Sequence, residues 1–224
     1  MKTMRIIFLL SALLLGQCQI AQVANHPPHP FWKNVRHLCS EHSIPFEQLG
    51  LRPGLTEKDI RTLERKLDVR FPETWKSILR QYGGQGDWSY GLIDGTVLLS
   101  PDQILELHRT ELEIIAKEGN FEPYDADDPE YDSRIQNLFY HEKWIPITDS
   151  DGDGYYLDFS PTETGAVGQV IYWMHDAGPA RWVAPNFDAF IRDYIDHIQS
   201  GRVHYFENLG FLLEETPGDL DYLR

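Results

Sequence analysis

Apolar residues recur at helical spacing in the segment that begins near residue 56. Ile60, Leu63 and Leu67 lie three and four positions apart, so they share one face of a helix. Thr56 can cap the start of this helix, and Asp59 follows at the capping-box position of the first turn. The pattern predicts an amphipathic helix that packs through one apolar face.

Three later segments also begin with helix-start signals. Pro72 suits the first turn of a second helix, which Gly83 and Gly84 would end. Ser100 is followed by Pro101 and Gln103 and starts a third predicted helix, and Asn186 caps a fourth. The residues predicted to face inward are Trp75, Ile78, Leu79 and Tyr82 on the second helix, Leu105, Leu112 and Ile115 on the third, and Phe187, Phe190, Ile191, Tyr194, Ile195 and Ile198 on the fourth.

Short apolar runs with strand composition alternate with turn residues elsewhere in the chain. Asp94 and Gly95 make a strong hairpin-turn dipeptide between two of these runs. The run at residues 169–175 is apolar on both of its faces, as expected for a central strand that is covered on both sides. The predicted strands are 90–93, 96–99, 144–148, 155–159 and 169–175. The last three form an antiparallel meander, so helices and meander together predict an α+β fold.

The amino terminus has the form of an export signal. Lys2 and Arg5 precede an apolar run at residues 6–15 that is too short to span a bilayer. Cleavage after Ala24 would remove residues 1–24 as a signal peptide, whereas cleavage before Cys18 would leave a lipoprotein with Cys18 lipidated. A buried first helix is a third interpretation. Residues 25–49 are expected to form a spacer and N-terminal extension before the fold.

The formal net charge of −15 narrows the choice of partners. Nucleic acids are excluded as expected partners, because their affinity comes mainly from Lys and Arg, and a membrane contact would need the N-terminal lipid. The charge is unevenly placed: residues 33–82 contain ten basic and seven acidic residues, whereas residues 111–160 contain three basic and fourteen acidic ones. The middle of the chain would therefore attract a basic protein, although simple solubility explains the charge equally well.

An acidic stretch at residues 119–137 is predicted to be a surface insertion in a domain that spans residues 50–200. An acidic tail follows at residues 201–224. Acids beside aromatic residues favour partner contact, since charged rims steer association and aromatic residues anchor it. The predicted partner-binding residues are Tyr124, Asp125, Asp127, Asp128, Glu130 and Tyr131, with Asp149, Asp151 and Asp153 second. A solvated loop held out by self-repulsion is the alternative.

The acids Asp149, Asp151 and Asp153 also match the first half of a calcium-binding loop. The second half fails, because the twelfth position is Ser160 where a Glu is needed and the flanking segments have strand composition. A hairpin turn needs Asp and Gly for its backbone angles in any case. We therefore predict a turn without a metal, and no cofactor.

Catalytic motifs are absent from the sequence. It contains no P-loop, no dinucleotide-binding glycine pattern and no nucleophile-elbow serine. Cys39 lies between His37 and His42, which could begin a catalytic or zinc arrangement, but a buried Cys and surface His residues explain this pattern better. The chain is predicted not to be an enzyme.

Three ordered segments resemble one protein family. Residues 54–84 read GLTEKDIRTLERKLDVRFPETWKSILRQYGG, residues 144–159 read WIPITDSDGDGYYLDF, and residues 168–191 read GQVIYWMHDAGPARWVAPNFDAFI. They resemble the opening helical hairpin, the middle strands and the closing elements of the SUKH superfamily, which includes bacterial toxin-immunity proteins and yeast cell-wall assembly regulators. The resemblance implies an α+β fold with a mixed, largely antiparallel sheet packed with helices. It also implies a protein-binding scaffold without catalytic residues.

Three functional hypotheses follow from the resemblance and the local acidity. The first is an immunity-type protein that neutralises a toxin, for example a basic one, by covering its surface. The second is a cell-envelope or cell-wall assembly regulator or scaffold that binds an envelope protein. The third is a calcium-binding envelope hydrolase. The N-terminal signal predicts an exported protein of the periplasm or cell envelope, lipid-anchored if Cys18 is the cleavage site, with a cytoplasmic protein as the alternative.

Overall fold

The computed structural model describes residues 28–86, 90–125, 128–216 and 220. Within them the helices are α1 (Pro30–Glu41), α2 (Glu57–Leu67), α3 (Glu73–Gln81), α4 (Pro101–Glu118) and α5 (Phe187–Gln199), with a 3₁₀ turn at Phe46–Leu49. The strands are β1 (Leu51–Pro53), β2 (Tyr82–Gln85), β3 (Val97–Leu98), β4 (Trp144–Pro146), β5 (Thr148–Asp149), β6 (Gly154–Asp158), β7 (Gln169–Met174), β8 (Gly178–Ala184), β9 (Val203–Phe206) and β10 (Gly210–Leu213). The predicted α+β fold is confirmed.

The central sheet has four antiparallel strands in the order β4-β6-β7-β8. Trp173 of β7 lies opposite Gly154 of β6 on one side and Pro179 of β8 on the other. Smaller antiparallel pairs, β1 with β2, β3 with β5 and β9 with β10, surround this sheet. The predicted meander is present, and β8 adds a fourth strand to it.

One face of the sheet packs against α1, α3 and α5. Leu157 and Val170 from the sheet lie in one buried cluster with Trp75 of α3 and Phe187 of α5. The ring centroids of Trp75 and Phe187 are 5.1 Å apart in an edge-to-face arrangement. Burying an apolar side chain of this size contributes about 1.5–3 kcal/mol, so this cluster of many buried side chains is a large source of stability.

Helix α1 lies in the region where we expected a spacer and N-terminal extension. Its start signal is Pro30 in the first turn, preceded by His29, whose Nδ1 atom accepts a hydrogen bond from the Phe31 amide at 3.2 Å. Its buried residues are Phe31, Trp32, Val35, Leu38 and Cys39. This spacing is that of an amphipathic helix, but the neighbouring prolines made the segment resemble extended chain.

The opposite face of the sheet is covered by α4 and by the chain that follows it. Trp173 packs edge-to-face against Phe139 at 5.5 Å, and its Nε1 atom donates to the Phe139 carbonyl at 2.7 Å. Phe121 stacks on Phe139 at 4.8 Å, and Ile135 is buried in the same cluster. The acidic stretch at 119–137 is therefore attached to a second core near both of its ends.

The local start signals form as the sequence predicts. Thr56 Oγ1 accepts from the Asp59 amide at 3.2 Å, and Asp59 Oδ2 accepts from the Thr56 amide at 3.0 Å. Asn186 Oδ1 accepts from the Ala189 amide at 2.9 Å. These contacts satisfy amide groups that a helix start leaves without intrahelical partners.

The pairing of the Asp94–Gly95 turn differs from the prediction. Asp94 and Gly95 both have positive φ, 48° and 72°, as in a two-residue hairpin turn. Beyond the bridge next to the turn, however, the two arms diverge: β3 pairs with β5, and Gly91 pairs with the chain just before Phe211. The Gly95 amide donates to the Phe211 carbonyl at 2.7 Å, and the Phe211 amide donates to the Gly91 carbonyl at 2.9 Å. The chain at Gly91 is thus paired with the C-terminal hairpin β9–β10, where we expected it to pair with residues 96–99.

The helix stop predicted at Gly83 and Gly84 also differs. α3 ends at Gln81 and the chain continues directly into β2 without a left-handed cap. Gly84 has a φ of +99°, but a Cβ atom there would lie 2.5 Å from the Ser100 amide nitrogen. Gly84 is therefore needed because strand β2 passes close to the start of α4, and it does not end a helix.

Candidate functional site

The turn between β5 and β6 carries three of the predicted acids. Asp151 and Gly152 occupy its two central positions with positive φ, 55° and 95°. The Gly152 amide donates to Asp149 Oδ1 at 3.1 Å, and Asp153 Oδ1 accepts from the His175 backbone amide at 3.0 Å and lies 2.9 Å from its Nδ1 atom. Asp149 and Asp153 therefore stabilise the turn and its contact with β7, whereas Asp151 extends from the tip.

A cavity of about 390 Å³ lies beside this turn. The turn, the Asp94–Gly95 hairpin, the first turn of α4 and the β9–β10 loop surround it. Its lining residues are Gly86, Gly91, Gly95, Val97, Leu99, Gln103, Asp149, Ser150, Asp151, Asn208 and Leu209. The volume falls within the range of about 300–1,000 Å³ that is typical of small-ligand sites.

Glu111 of α4 is a buried acid close to the same turn. Glu111 is only 4% exposed, and its Oε2 atom makes no hydrogen bond with any described residue. Burial raises the pKa of this carboxyl to about 7, repulsion by Asp149 adds to the rise, and His175 partly offsets it. The hydroxyl of Tyr156, on the strand that begins at the turn, is also buried without a partner among the described residues.

The acidic side chains of the turn repel one another. Burial raises the pKa of Asp149, and repulsion by Asp151 and Asp153 raises it further against the lowering effect of the Gly152 amide. The hydrogen bond to Asp153 raises the pKa of His175 above its ordinary value. This end of the sheet is therefore a region of concentrated negative charge, in which partly buried carboxylates are less screened than those on the open surface.

Sequence reasoning missed Glu111, although a signal was present. Ile104, Leu112 and Ile115 line the inner side of α4, and Glu111 stands seven residues after Ile104, which places both on one helix face. An acid at an inward position of an amphipathic pattern indicates a buried charge.

The residues proposed as metal ligands do not assemble. Among the residues that the structure describes, no group of three or more His, Cys, Asp or Glu side chains is placed to hold a metal ion. Cys39 is buried and its thiol has a pKa raised to about 11 by desolvation, while His37 lies 3.5 Å from Glu41. Cys39 is a free thiol and is not an activated nucleophile.

The first predicted set of contact residues lies on the acidic stretch, with its tyrosines turned inward. The Tyr124 hydroxyl donates to the Pro179 carbonyl at 2.8 Å, and the rings of Tyr124 and Tyr131 stack at 6.0 Å. Asp125 and Glu130 are exposed, and Asp128 is half-buried with its Oδ1 atom accepting from the Glu130 amide. Asp127 lies outside the described residues. The tyrosines anchor the stretch, and Asp125 and Glu130 are the predicted contact acids that lie exposed.

Both predicted acidic patches lie at the same end of the central sheet. Pro179, which Tyr124 contacts, is paired with Trp173, and Trp173 is paired with Gly154 at the end of the acidic turn. Two strand spacings correspond to about 10 Å. The fold thus brings to one end of the sheet two acid groups that are at least nineteen residues apart in sequence.

These features define a class of protein: an α+β domain whose antiparallel sheet is covered by helices on both faces and is strongly acidic at one end. The chain belongs to the SMI1 / KNR4 family (SUKH-1), whose model matches residues 54–193. The matched range includes the whole acidic stretch. The predicted family resemblance is therefore confirmed.

Curated relatives of this chain are fungal proteins. It is 23% identical to the "Cell wall assembly regulator SMI1" of Saccharomyces cerevisiae, over 76% of this chain and 40% of that protein. It is 24% identical to the "Glucan synthesis regulatory protein" of Neurospora crassa, over 76% of this chain and 38% of that protein. A "KNR4/SMI1 homolog" of Kluyveromyces lactis is also 24% identical, over 76% and 43%. The chain thus spans about two fifths of the length of the curated relatives it matches.

The predicted location needs a correction. Residues 1–24 and the proposed lipidation at Cys18 lie outside the described residues. The expectation of an exported protein in the periplasm or cell envelope is wrong, because the relatives are fungal proteins named as regulators of cell wall assembly and glucan synthesis. None of the helices in the described residues combines the length and the hydropathy that a membrane-spanning helix needs.

Proposed function

We propose that this chain is a non-catalytic, protein-binding domain that takes part in the regulation of cell wall assembly. The observation that carries the proposal is the similarity to fungal proteins named as regulators of cell wall assembly and of glucan synthesis. This is the second of the three hypotheses drawn from the sequence. Toxin neutralisation ranks below it, because none of the named relatives is described as an immunity protein.

The form of the acidic end supports binding in preference to catalysis. Asp149, which lines the cavity, is held by a hydrogen bond from the Gly152 amide, and it repels the nearby buried acid Glu111. Rigidly held charges around a cavity suit recognition of a complementary partner, since their positions need little reordering on binding.

Deletion of the gene in its native cell tests the proposal. We expect greater sensitivity to a wall-binding dye and to hypo-osmotic shock in pure culture, with both restored when the full chain is supplied again. Pure culture matters, because an immunity protein would be needed only in the presence of a toxin-producing competitor. A deletion strain with an unchanged wall that is killed only in mixed culture would refute wall regulation and favour toxin neutralisation.

A further inference from the structure

The cavity beside the acidic turn has a charge that restricts its occupant. Asp149 and Asp151 are the acidic residues of its lining, and none of the described lining residues is a Lys, Arg or His. A cation that enters would be attracted by both carboxylates, whereas an anion would be repelled. The occupant should therefore carry positive charge.

The buried carboxyl of Glu111 adds negative charge close to the cavity wall. It is nine-tenths buried or more, its Oε2 atom has no partner among the described residues, and repulsion by Asp149 of the cavity wall adds to the rise of its pKa. Burying a carboxylate costs free energy, which His175 offsets only in part, and a cation held beside Asp149 would offset more of that cost. Glu111 does not line the cavity, but its charge adds to the negative potential around Asp149.

The apolar part of the lining distinguishes a basic side chain from a bare metal ion. Val97 and Leu99 lie in the wall, and Leu209 is 43% exposed on the β9–β10 loop. Lys and Arg side chains pack their aliphatic stems on apolar surface while their charged ends reach polar groups. A metal ion would instead need several converging ligands, and the described residues contain no group of three or more His, Cys, Asp or Glu side chains placed to supply them.

We infer that this cavity binds one arginine or lysine side chain presented by a partner protein. The inference rests on the proposed function, since it names the chemistry by which a protein-binding domain would recognise its partner. Arginine has the stronger claim of the two, because its planar guanidinium can bridge two carboxylates.

The inference can be tested by NMR titration of the full chain with N-acetyl-arginine methylamide. The lysine analogue is titrated in parallel, and the citrulline analogue serves as a neutral control of nearly the same shape. We expect saturable shifts centred on the amides of Gly91, Gly95, Asn208 and Leu209, weakened by added salt. Citrulline should leave these amides unmoved.

Matched variants separate the cavity from the general acidity of the protein. Asp149→Asn combined with Asp151→Asn should weaken binding of the arginine analogue about tenfold, since each lost ion contact is worth a few-fold. Asp153→Asn removes one charge from the same turn, but Asp153 faces His175 and does not line the cavity. It should change binding by less than about twofold. Asp151→Asn alone is the variant least expected to disturb folding, because Asp151 lies at the exposed tip and Asn tolerates its positive φ. It should weaken binding about threefold.

Several results would overturn the inference. These are shifts spread over the acidic surface, equal binding of citrulline, an Asp153→Asn loss as large as that of the double variant, or no saturable binding in a folded protein. None of them bears on the wall phenotype of the deletion strain. A chain that binds no arginine analogue but whose loss weakens the wall would refute this inference alone and leave the proposed function standing.

Discussion

Glu111→Gln should stabilise the protein above about pH 4.5, by an amount that grows up to about pH 7. Glu111 is a buried residue of α4. Its Oε2 atom has no partner among the described residues, and Asp149 repels its carboxylate. Gln has nearly the same shape but carries no charge at any pH. The substitution therefore removes the electrostatic cost of Glu111 and leaves the packing almost unchanged.

The size and sign of the effect follow from the pKa of Glu111. In the folded protein this pKa rises from 4.5 to about 7, and each unit corresponds to about 1.4 kcal/mol, so the ionised form is disfavoured by about 3 kcal/mol. Between these two values the folded state binds more protons than the unfolded state, so stability falls as the pH rises. The cost is absent below about pH 4.5 and complete above about pH 7. The tyrosines facing the carboxyl remain neutral throughout this window.

Urea unfolding at pH 5, 6, 7 and 8 would measure this difference between wild type and variant. We expect the free energies of unfolding to diverge with pH, reaching about 3 kcal/mol in favour of Gln at pH 8. Glu113→Gln is the control, since Glu113 is exposed on the same helix beside Arg109 and should give less than about 0.5 kcal/mol at any pH. If the free energies of unfolding of wild type and Glu111→Gln differed by the same amount at all four pH values, ionisation of the buried Glu111 would not be what destabilises the protein.

Three smaller changes test other parts of the fold. Asp158→Asn should change the free energy of unfolding by less than about 1 kcal/mol at pH 7, because the hydrogen bond lost at one oxygen opposes the relief of a buried charge, whose burial raises the pKa of Asp158 to about 6. Tyr124→Phe should cost about 1 kcal/mol through the lost bond to Pro179, and an unchanged melting temperature would mean that the acidic stretch is not anchored there. Thr56→Ala should cost about 1 kcal/mol, most of it recovered in Thr56→Ser.

The parts of the fold that the sequence predicts are those decided by local interactions. A capping box such as Thr56 with Asp59 is complete within four residues, so its sequence pattern carries the whole interaction. The pairing of β3 with β5 joins Val97 to Asp149, and no local pattern specifies which of several strands will meet. The same holds for Phe211, which pairs with the chain around Gly91 across more than a hundred residues.

The candidate site follows the same division. The turn formed by Asp149, Asp151 and Gly152 is visible in the sequence, because Asp and Gly are the residues that tolerate its backbone angles. The cavity is not visible, since its walls come from four separate segments that meet only in the folded chain. Glu111 is intermediate: its inward position is readable from the periodicity of α4, but its closeness to Asp149 depends on how the helix crosses the sheet.

The cost of Glu111 and the binding capacity of the cavity are linked through Asp149. Asp149 lines the cavity and also raises the pKa of Glu111, so a cation bound at Asp149 would act on Glu111 with the opposite sign. Binding of the arginine analogue near pH 7 should therefore release protons, and Glu111→Gln should remove this release while stabilising the free protein. Calorimetric titration in two buffers of different ionisation enthalpy would detect the protons. Equal proton release by wild type and Glu111→Gln would show that the buried acid and the cavity act independently.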